Sequence, residues 1–196
     1  MNKIDSEHEN PLDRVLMDIS GSLLPFFHCT GHVPNVLTTY SFAAGLGAVA
    51  CLWHDRPYGF VVLMTISYFF DTMDGQFARE YNQTSRFGDL YDHITDAVVI
   101  LLIVHAVIHR GKRPVTWQLV ILGGIALLLM TTHFGCQQRW KNPSLAWETL
   151  DLNQGLCPDR EWIHWTRFFC PGTLNFFVII MAWYMFQPPN APAKED

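Results

Sequence analysis

Four of the aspartates between residues 71 and 96 stand at the spacing of two facing helix ends. The run reads Asp71-Thr72-Met73-Asp74-Gly75-Gln76-Phe77-Ala78-Arg79. After eight further residues it reads Gly88-Asp89-Leu90-Tyr91-Asp92-His93-Ile94-Thr95-Asp96. A helix turns every 3.6 residues, so Asp71 and Asp74 share one face, about 4.5 Å apart along the axis. Asp92 and Asp96 share a face roughly one turn apart. Four carboxylates focused on one spot repel unless cations hold them. The pattern therefore asks for a divalent metal, two ions rather than one, and the all-oxygen donor set suits magnesium or manganese.

The flanking sequence says which elements must position these acids. Residues 36–53, 115–134 and 168–187 are uncharged runs of 18, 20 and 20 residues, each long enough to cross a bilayer. Residues 58–70 and 97–108 are apolar but too short. They reach span length only if one helix continues through Asp71 and Asp74 to about Arg79, and the other begins near Gly88. The expected fold is an all-α, polytopic membrane bundle of five to six spans, with the acids on two of them, joined by a polar loop at 80–87. One carboxylate at mid-membrane depth costs roughly 2.5–3.5 kcal/mol, so four at full depth cost on the order of 10 kcal/mol. Acids kept at that cost serve a function. Residues 14–28 mix Val15, Leu16, Ile19, Leu23 and Leu24 with polar residues, which fits an interfacial helix and a soluble tail alike.

Bulk composition agrees. Mean hydropathy is +0.12, held down by polar ends and by residues 135–167. Trp53, Trp117 and Trp183 fall near expected span ends, as in an interfacial aromatic belt. A net charge of −5 argues against a nucleic-acid partner. The chain reads as one domain: a juxtamembrane segment (1–33), core helices (34–134), a polar segment (135–167) and a last membrane helix (168–187). No basic n-region precedes a short apolar core, so no cleaved signal peptide is expected. Five spans put eight lysines and arginines on the side of the acids and five on the other. That asymmetry favours a cytoplasmic-facing site, although the basic loop before Pro114 runs against it. The five cysteines are odd in number and lack a Cys-x-x-Cys pair, so no disulfide framework is expected. His28 with Cys29 and His32, or His133 with Cys136, do not make structural zinc sites, which need four ligands at tighter spacing.

The pattern Asp-x2-Asp-Gly-x2-Ala-Arg-x8-Gly-x3-Asp-x3-Asp resembles the signature of the CDP-alcohol phosphotransferases, membrane enzymes of phospholipid synthesis. Pro34-Asn35-Val36-Leu37-Thr38 resembles the start of that family's first helix. The resemblance implies that a CDP-linked lipid or alcohol gives its substituted phosphoryl group to a hydroxyl and releases CMP, on a membrane of lipid substrates, commonly in a homodimer. It implies Asp71, Asp74, Asp92 and Asp96 as metal ligands, with Asp96 the candidate base. The chemistry agrees: displacement at a pyrophosphate needs cations on the phosphate oxygens and a base for the attacking hydroxyl. The family commonly has six membrane helices where five are counted here.

For the donor, the resemblance points to Asn35, Gly75, Ala78, Arg79 and Gly88. Each also has a plainer reading. Gly75 and Ala78 could serve helix packing, Arg79 could anchor at the interface, Gly88 could start its helix, and Pro-Asn is an ordinary helix opening. Arg86 and His93 are acceptor candidates or simple charge balance, and Asp89 reads as an acid favouring its helix N-terminus. Ala43 and Gly47 read as helix packing. Residues 82–88, Asn-Gln-Thr-Ser-Arg-Phe-Gly, resemble phosphatidylinositol synthases, which favours CDP-diacylglycerol as donor and inositol as acceptor. Leu90-Tyr91-Asp92-His93 resembles instead the choline and ethanolamine phosphotransferases. A non-enzymatic scaffold and a divalent-cation transporter stay as further alternatives. Endomembrane or bacterial inner membrane is the implied location. Residues 140–165 are expected to cap the acceptor side of the pocket.

Overall fold

The computed structural model describes residues 9–140 and 149–188. Among these every regular element is helical, as the hydropathy runs predict. In chain order they are α1 (Pro11–Cys29), α2 (Pro34–Trp53), α3 (Pro57–Glu80), α4 (Arg86–Arg110), α5 (Trp117–Trp140), the four-residue α6 (Ile163–Thr166) and α7 (Pro171–Met185). Short 3₁₀ turns at Thr149–Leu156, Arg160–Trp162 and Arg167–Phe169 fill the stretch between α5 and α7.

Local sequence sets the first three helix ends in one way. Each stops at a left-handed residue: Gly31 (φ 78°), Asp55 (φ 55°) and Asn82 (φ 53°). The next amide then bonds back five residues: His32 to the Phe27 carbonyl, Arg56 to Cys51, and Gln83 to Ala78. This is the Schellman closure, which satisfies carbonyls left over at a helix end. Pro34 and Pro57 then open α2 and α3, where a missing N–H costs nothing. Ser85 caps α4 by accepting a 3.0 Å bond from the Gly88 amide.

Four helical stretches are long and apolar enough to cross a membrane: α2, α4, α5 and the run Ile163–Met185. The count of five spans needs α3 as well. Its 24 residues reach about 36 Å, but Asp71, Asp74, Arg79 and Glu80 lower its hydropathy. The helix does continue through both aspartates to Glu80, as span length demands. Two expected boundaries move. The apolar run ends at Phe134, yet α5 continues to Trp140, because His133, Gly135, Cys136 and Gln138 are buried under the 3₁₀ segment. The last span begins at Ile163 rather than 168.

The core has two parts. Ala48, Leu52, Phe60, Met64, Val99 and Ile103 fill one end between α2, α3, α4 and α7. Leu24, Leu37, Met73 and Phe77 join α1 to the acid-bearing end. α1 is an amphipathic helix: Val15, Ile19, Leu23 and Phe26 are exposed on one side, while Ser20 and Leu24 are buried on the other. That is the geometry of a helix lying in the membrane interface. It is fastened at its middle and at its N-terminal end. Ser20 donates to the buried Gln76 side chain, whose Nε2 donates to the Met17 carbonyl at 3.1 Å. Asp13 accepts from the Tyr68 hydroxyl at 2.9 Å, and Asn10 Nδ2 donates to the Arg167 carbonyl and Thr173 hydroxyl, at 3.1 and 3.2 Å.

One expectation is overturned. Cys136 and Cys157 form a disulfide, 21 residues apart in sequence. No Cys-x-x-Cys spacing announces it; the pair meets because residues 149–157 fold back along α5. Arg139 Nε donates to the Gln154 carbonyl at 3.1 Å, and Gly135 has room only for a hydrogen, since a Cβ there would lie 2.2 Å from the Asn153 carbonyl oxygen. The first part of the expected acceptor cap, residues 141–148, lies outside the described residues.

Candidate active site

Three elements build the site: the first turns of α2, the second half of α3 and the first half of α4. α2 packs extensively along both α3 and α4, while α3 and α4 barely touch each other. The seam between α2 and α3 is small and polar. Ser41 and Ser67 each donate a hydroxyl to the other's carbonyl at 2.9 Å. Gly45 is buried so closely that a Cβ would sit 2.8 Å from Val99 on α4. Small residues let membrane helices approach. Of the expected packing pair, Gly47 does meet Leu63, but Ala43 is exposed; the seam is made by Ser41, Gly45 and Ala48 instead.

Across the gap between α3 and α4, carboxylate oxygens of Asp71, Asp92 and Asp96 lie within 4.8 Å of one another. Asp71 and Asp92 are half-buried and Asp96 is exposed. Asp92 Oδ1 is shut off from solvent and has no hydrogen-bond partner among the described residues. A buried carboxylate oxygen without a partner is costly, and a cation is the ligand that would relieve it. The donors are all hard oxygens, so the cluster fits a divalent ion of the magnesium type.

Asp74 takes a different position. It is buried, and its Oδ2 accepts a 2.5 Å hydrogen bond from the Thr38 hydroxyl of α2. It is not in the three-oxygen group, though it stands one turn from Asp71 on the same helix. In the sequence Thr38 is part of the opening of the first membrane helix, with nothing next to it to assign a role. The available signal was its place one turn after Asn35 on the same face of α2.

The remaining candidates gather around this centre. The Arg79 guanidinium folds back over Gly75, where a Cβ would come within 3.2 Å of it. The small residue at 75 thus makes room for an arginine of its own helix. Gly88 makes room for α2: a Cβ there would lie 3.0 Å from Asn35 Oδ1 and from Ser85 Oγ. Thr39 and Tyr91 hydroxyls meet at 3.1 Å beside it. Ala78 lies on α3, partly buried. His93 turns back along α4, its Nδ1 donating to the Asp89 carbonyl at 2.6 Å with the Asp89 carboxylate 3.8 Å away. Arg86 is exposed at the first position of α4. A cavity of about 400 Å³ lies elsewhere, between α1 and the end of α3 beside Gln76, Glu80 and Tyr81, and none of the four aspartates lines it.

Several known proteins are similar to this chain in sequence. A CDP-diacylglycerol–serine O-phosphatidyltransferase of Mycobacterium tuberculosis is 29% identical over 109 residues, 54% of this chain and 38% of that protein. A CDP-diacylglycerol–inositol 3-phosphatidyltransferase of Candida albicans is 29% identical over 91 residues, covering 46% and 39%. A CDP-diacylglycerol–glycerol-3-phosphate 3-phosphatidyltransferase of Cereibacter sphaeroides is 33% identical over 87 residues, covering 42% and 39%. The chain therefore spans about two-fifths of the length of the curated relatives it matches. No solved structure matches it. The family model described as CDP-alcohol phosphatidyltransferase matches residues 31–187. Since that match takes in both acid-bearing helices and the α2 residues that join them, this chain belongs to the CDP-alcohol phosphatidyltransferase family.

Proposed function

We propose that the protein transfers a phosphatidyl group from CDP-diacylglycerol to the hydroxyl of a small alcohol, releasing CMP, with two magnesium or manganese ions at the aspartate cluster. The observation that carries the reading is the convergence of Asp71, Asp92 and Asp96 from two helices that hardly pack on each other. An acidic gap of that kind is held open for a charged occupant. The donor assignment draws on the relatives, whose names share CDP-diacylglycerol and differ in the acceptor. Inositol is the first acceptor to test, on the likeness of residues 82–88 to inositol synthases.

In this reading Asp71, Asp74 and Asp92 hold the ions, with Asp96 touching one of them. Bound there, the ions would neutralise the pyrophosphate oxygens and the departing CMP. Asn35 and Ala78 line the nucleotide, Gly75 and Gly88 serve the donor site by making room for Arg79 and Asn35, and Arg79 reaches the phosphates with a planar fork of donors. Asp96, the exposed member of the cluster, takes the proton of the incoming hydroxyl. Arg86 and His93 stand at the mouth of α4 to meet the alcohol.

The test is CMP release by the purified protein in lipid vesicles, with labelled CDP-diacylglycerol, magnesium, and inositol, glycerol phosphate and serine as acceptors. Label is expected in one phospholipid, with none in Asp96→Asn. Turnover only with CDP-choline or CDP-ethanolamine and diacylglycerol would reverse donor and acceptor. Silence with every pair would remove the enzymatic reading.

A further inference from the structure

The two acid-bearing helices hardly touch, so something else must fix the distance between their carboxylates. α2 packs most extensively along both, and α7, which touches both more lightly, joins them at the end away from the acids. The opening turns of α2 meet α3 and α4 at the site through one close approach and two polar contacts. Asn35 stands against Gly88 of α4, the Thr39 hydroxyl meets Tyr91 of α4 at 3.1 Å, and the Thr38 hydroxyl reaches Asp74 of α3 at 2.5 Å. Thr38 and Asp74 are both buried, with 3% and 6% of their surface exposed. The Thr38 hydroxyl has a second acceptor in reach, the Pro34 carbonyl one turn back, but at 3.3 Å. A serine or threonine in a helix commonly spends its hydroxyl on that i−4 carbonyl. Here the shorter contact goes to the carboxylate. A bond to a charged acceptor is the stronger kind.

We propose that Thr38 is a positioning residue for the metal centre: it fixes Asp74 Oδ2 against α2, leaving Oδ1 as the oxygen a cation can take. This rests on reading the aspartate cluster as a cation site. A carboxylate without this bond would rotate about its last torsion and could present either oxygen, or both. Ser41, one turn further along α2, makes a comparable buried link to α3 without touching a carboxylate. It is therefore the internal control for packing.

The experiment titrates Mn2+ into the purified full chain in detergent, following free ion by electron paramagnetic resonance, with the melting temperature of the metal-free protein measured alongside. Wild type, Thr38→Val, Thr38→Ser and Ser41→Ala are compared. Valine keeps the shape and removes the hydroxyl; should it not fold, Thr38→Cys, with a weak S–H donor, takes its place. The expected result is Mn2+ affinity about 10-fold weaker in Thr38→Val, within a few-fold of wild type in Thr38→Ser, and unchanged in Ser41→Ala. Equal affinity in wild type and Thr38→Val would overturn the proposal. So would equal weakening by Thr38→Val and Ser41→Ala, which would make the effect one of helix packing. Absence of Mn2+ binding in wild type would instead remove the cation site on which the proposal rests.

Discussion

The acid-bearing end of the molecule and the segment that folds over α5 solve the same problem by different means. Both must hold polar groups beside a membrane. In the first, α2, α3 and α4 do it through small residues and reciprocal side-chain bonds: Thr38 to Asp74, Ser41 to Ser67, Gly45 against Val99. In the second, residues 149–170 carry only short 3₁₀ and α turns, and a covalent bond from Cys157 to Cys136 fastens them to α5. The buried apolar cluster there is small, with Cys136, Cys157 and Ile163 at its centre and Trp140 against it. A rigid geometry is needed where charges must be placed. A covalent fastening suffices where a surface needs only to be covered.

Asp92→Asn is expected to have the largest effect at the acid-bearing end. It removes one negative charge from the cluster and leaves an amide in a space suited to a cation ligand. Turnover should fall on the order of 10³-fold, with Mn2+ binding lost. The metal-free protein should melt no lower than wild type, because crowded like charges repel in the absence of the ion. A large drop in melting temperature without metal would mean that Asp92 is structural.

Cys136→Ser tests the other region. By the chain-entropy account, a closed loop of this length contributes about 3 kcal/mol, so the melting temperature should fall clearly while Mn2+ binding at the aspartates persists. If the segment caps the acceptor side, acceptor preference changes and CDP-donor binding survives; loss of donor binding would count against the cap. The same pair reports on sidedness. The count of basic residues favours a cytoplasmic-facing site, whereas a disulfide at that end persists in an oxidising compartment. Thiol trapping in intact cells, read at Cys136 and Cys157 with the free Cys29, Cys51 and Cys170 replaced by serine, discriminates: alkylation of both puts the cluster in the cytoplasm, and a protected pair puts it on the opposite side.

The two regions differ as much in how legible they are from sequence. Asp71, Asp74, Asp92 and Asp96 announced themselves because charge inside apolar runs is expensive and their helical spacing is regular. The extension of α3 to Glu80 followed from span length alone. Thr38 was harder to see. A threonine in an uncharged run has a ready acceptor in its own helix, and only the approach of α3 shows that the carboxylate wins. Gly75 and Gly88 were legible as small residues, but what fills the space, Arg79 and Asn35, depends on three-dimensional placement. The disulfide was illegible because its partners lie on a helix and on a segment with no periodic pattern.

Gly45→Val probes the rigid seam more gently than loss of an acid. The added Cβ would meet Val99 at 2.8 Å and Ser67 Oγ at 3.3 Å, so α2 must shift away from α4. Overpacking of this kind costs typically 1–3 kcal/mol. Because α2 spaces the two acid-bearing helices, Mn2+ affinity should weaken together with stability. A loss of stability with unchanged affinity would uncouple the seam from the site.

The smallest effect is expected at Gly123→Ala, on the exposed middle of α5. Nothing lies within 4 Å of a Cβ built at Gly123 or at its neighbour Gly124. Alanine is the better helix former by up to about 1 kcal/mol in water, and in an apolar surrounding the backbone bonds are already secured. The melting temperature should stay level or rise slightly, with turnover and Mn2+ binding unchanged. That flat response would mark the face of α5 around Val120, Ile121, Leu127 and Leu128 as lipid-facing. A fall in stability has a different physical meaning here, since no described residue of the chain lies close enough for the added methyl to strike. It would require another molecule packed against the glycines. Crosslinking or mass measurement in a mild detergent would then show whether that molecule is a second copy of this chain, and the dimer implied by the family resemblance would be located on α5.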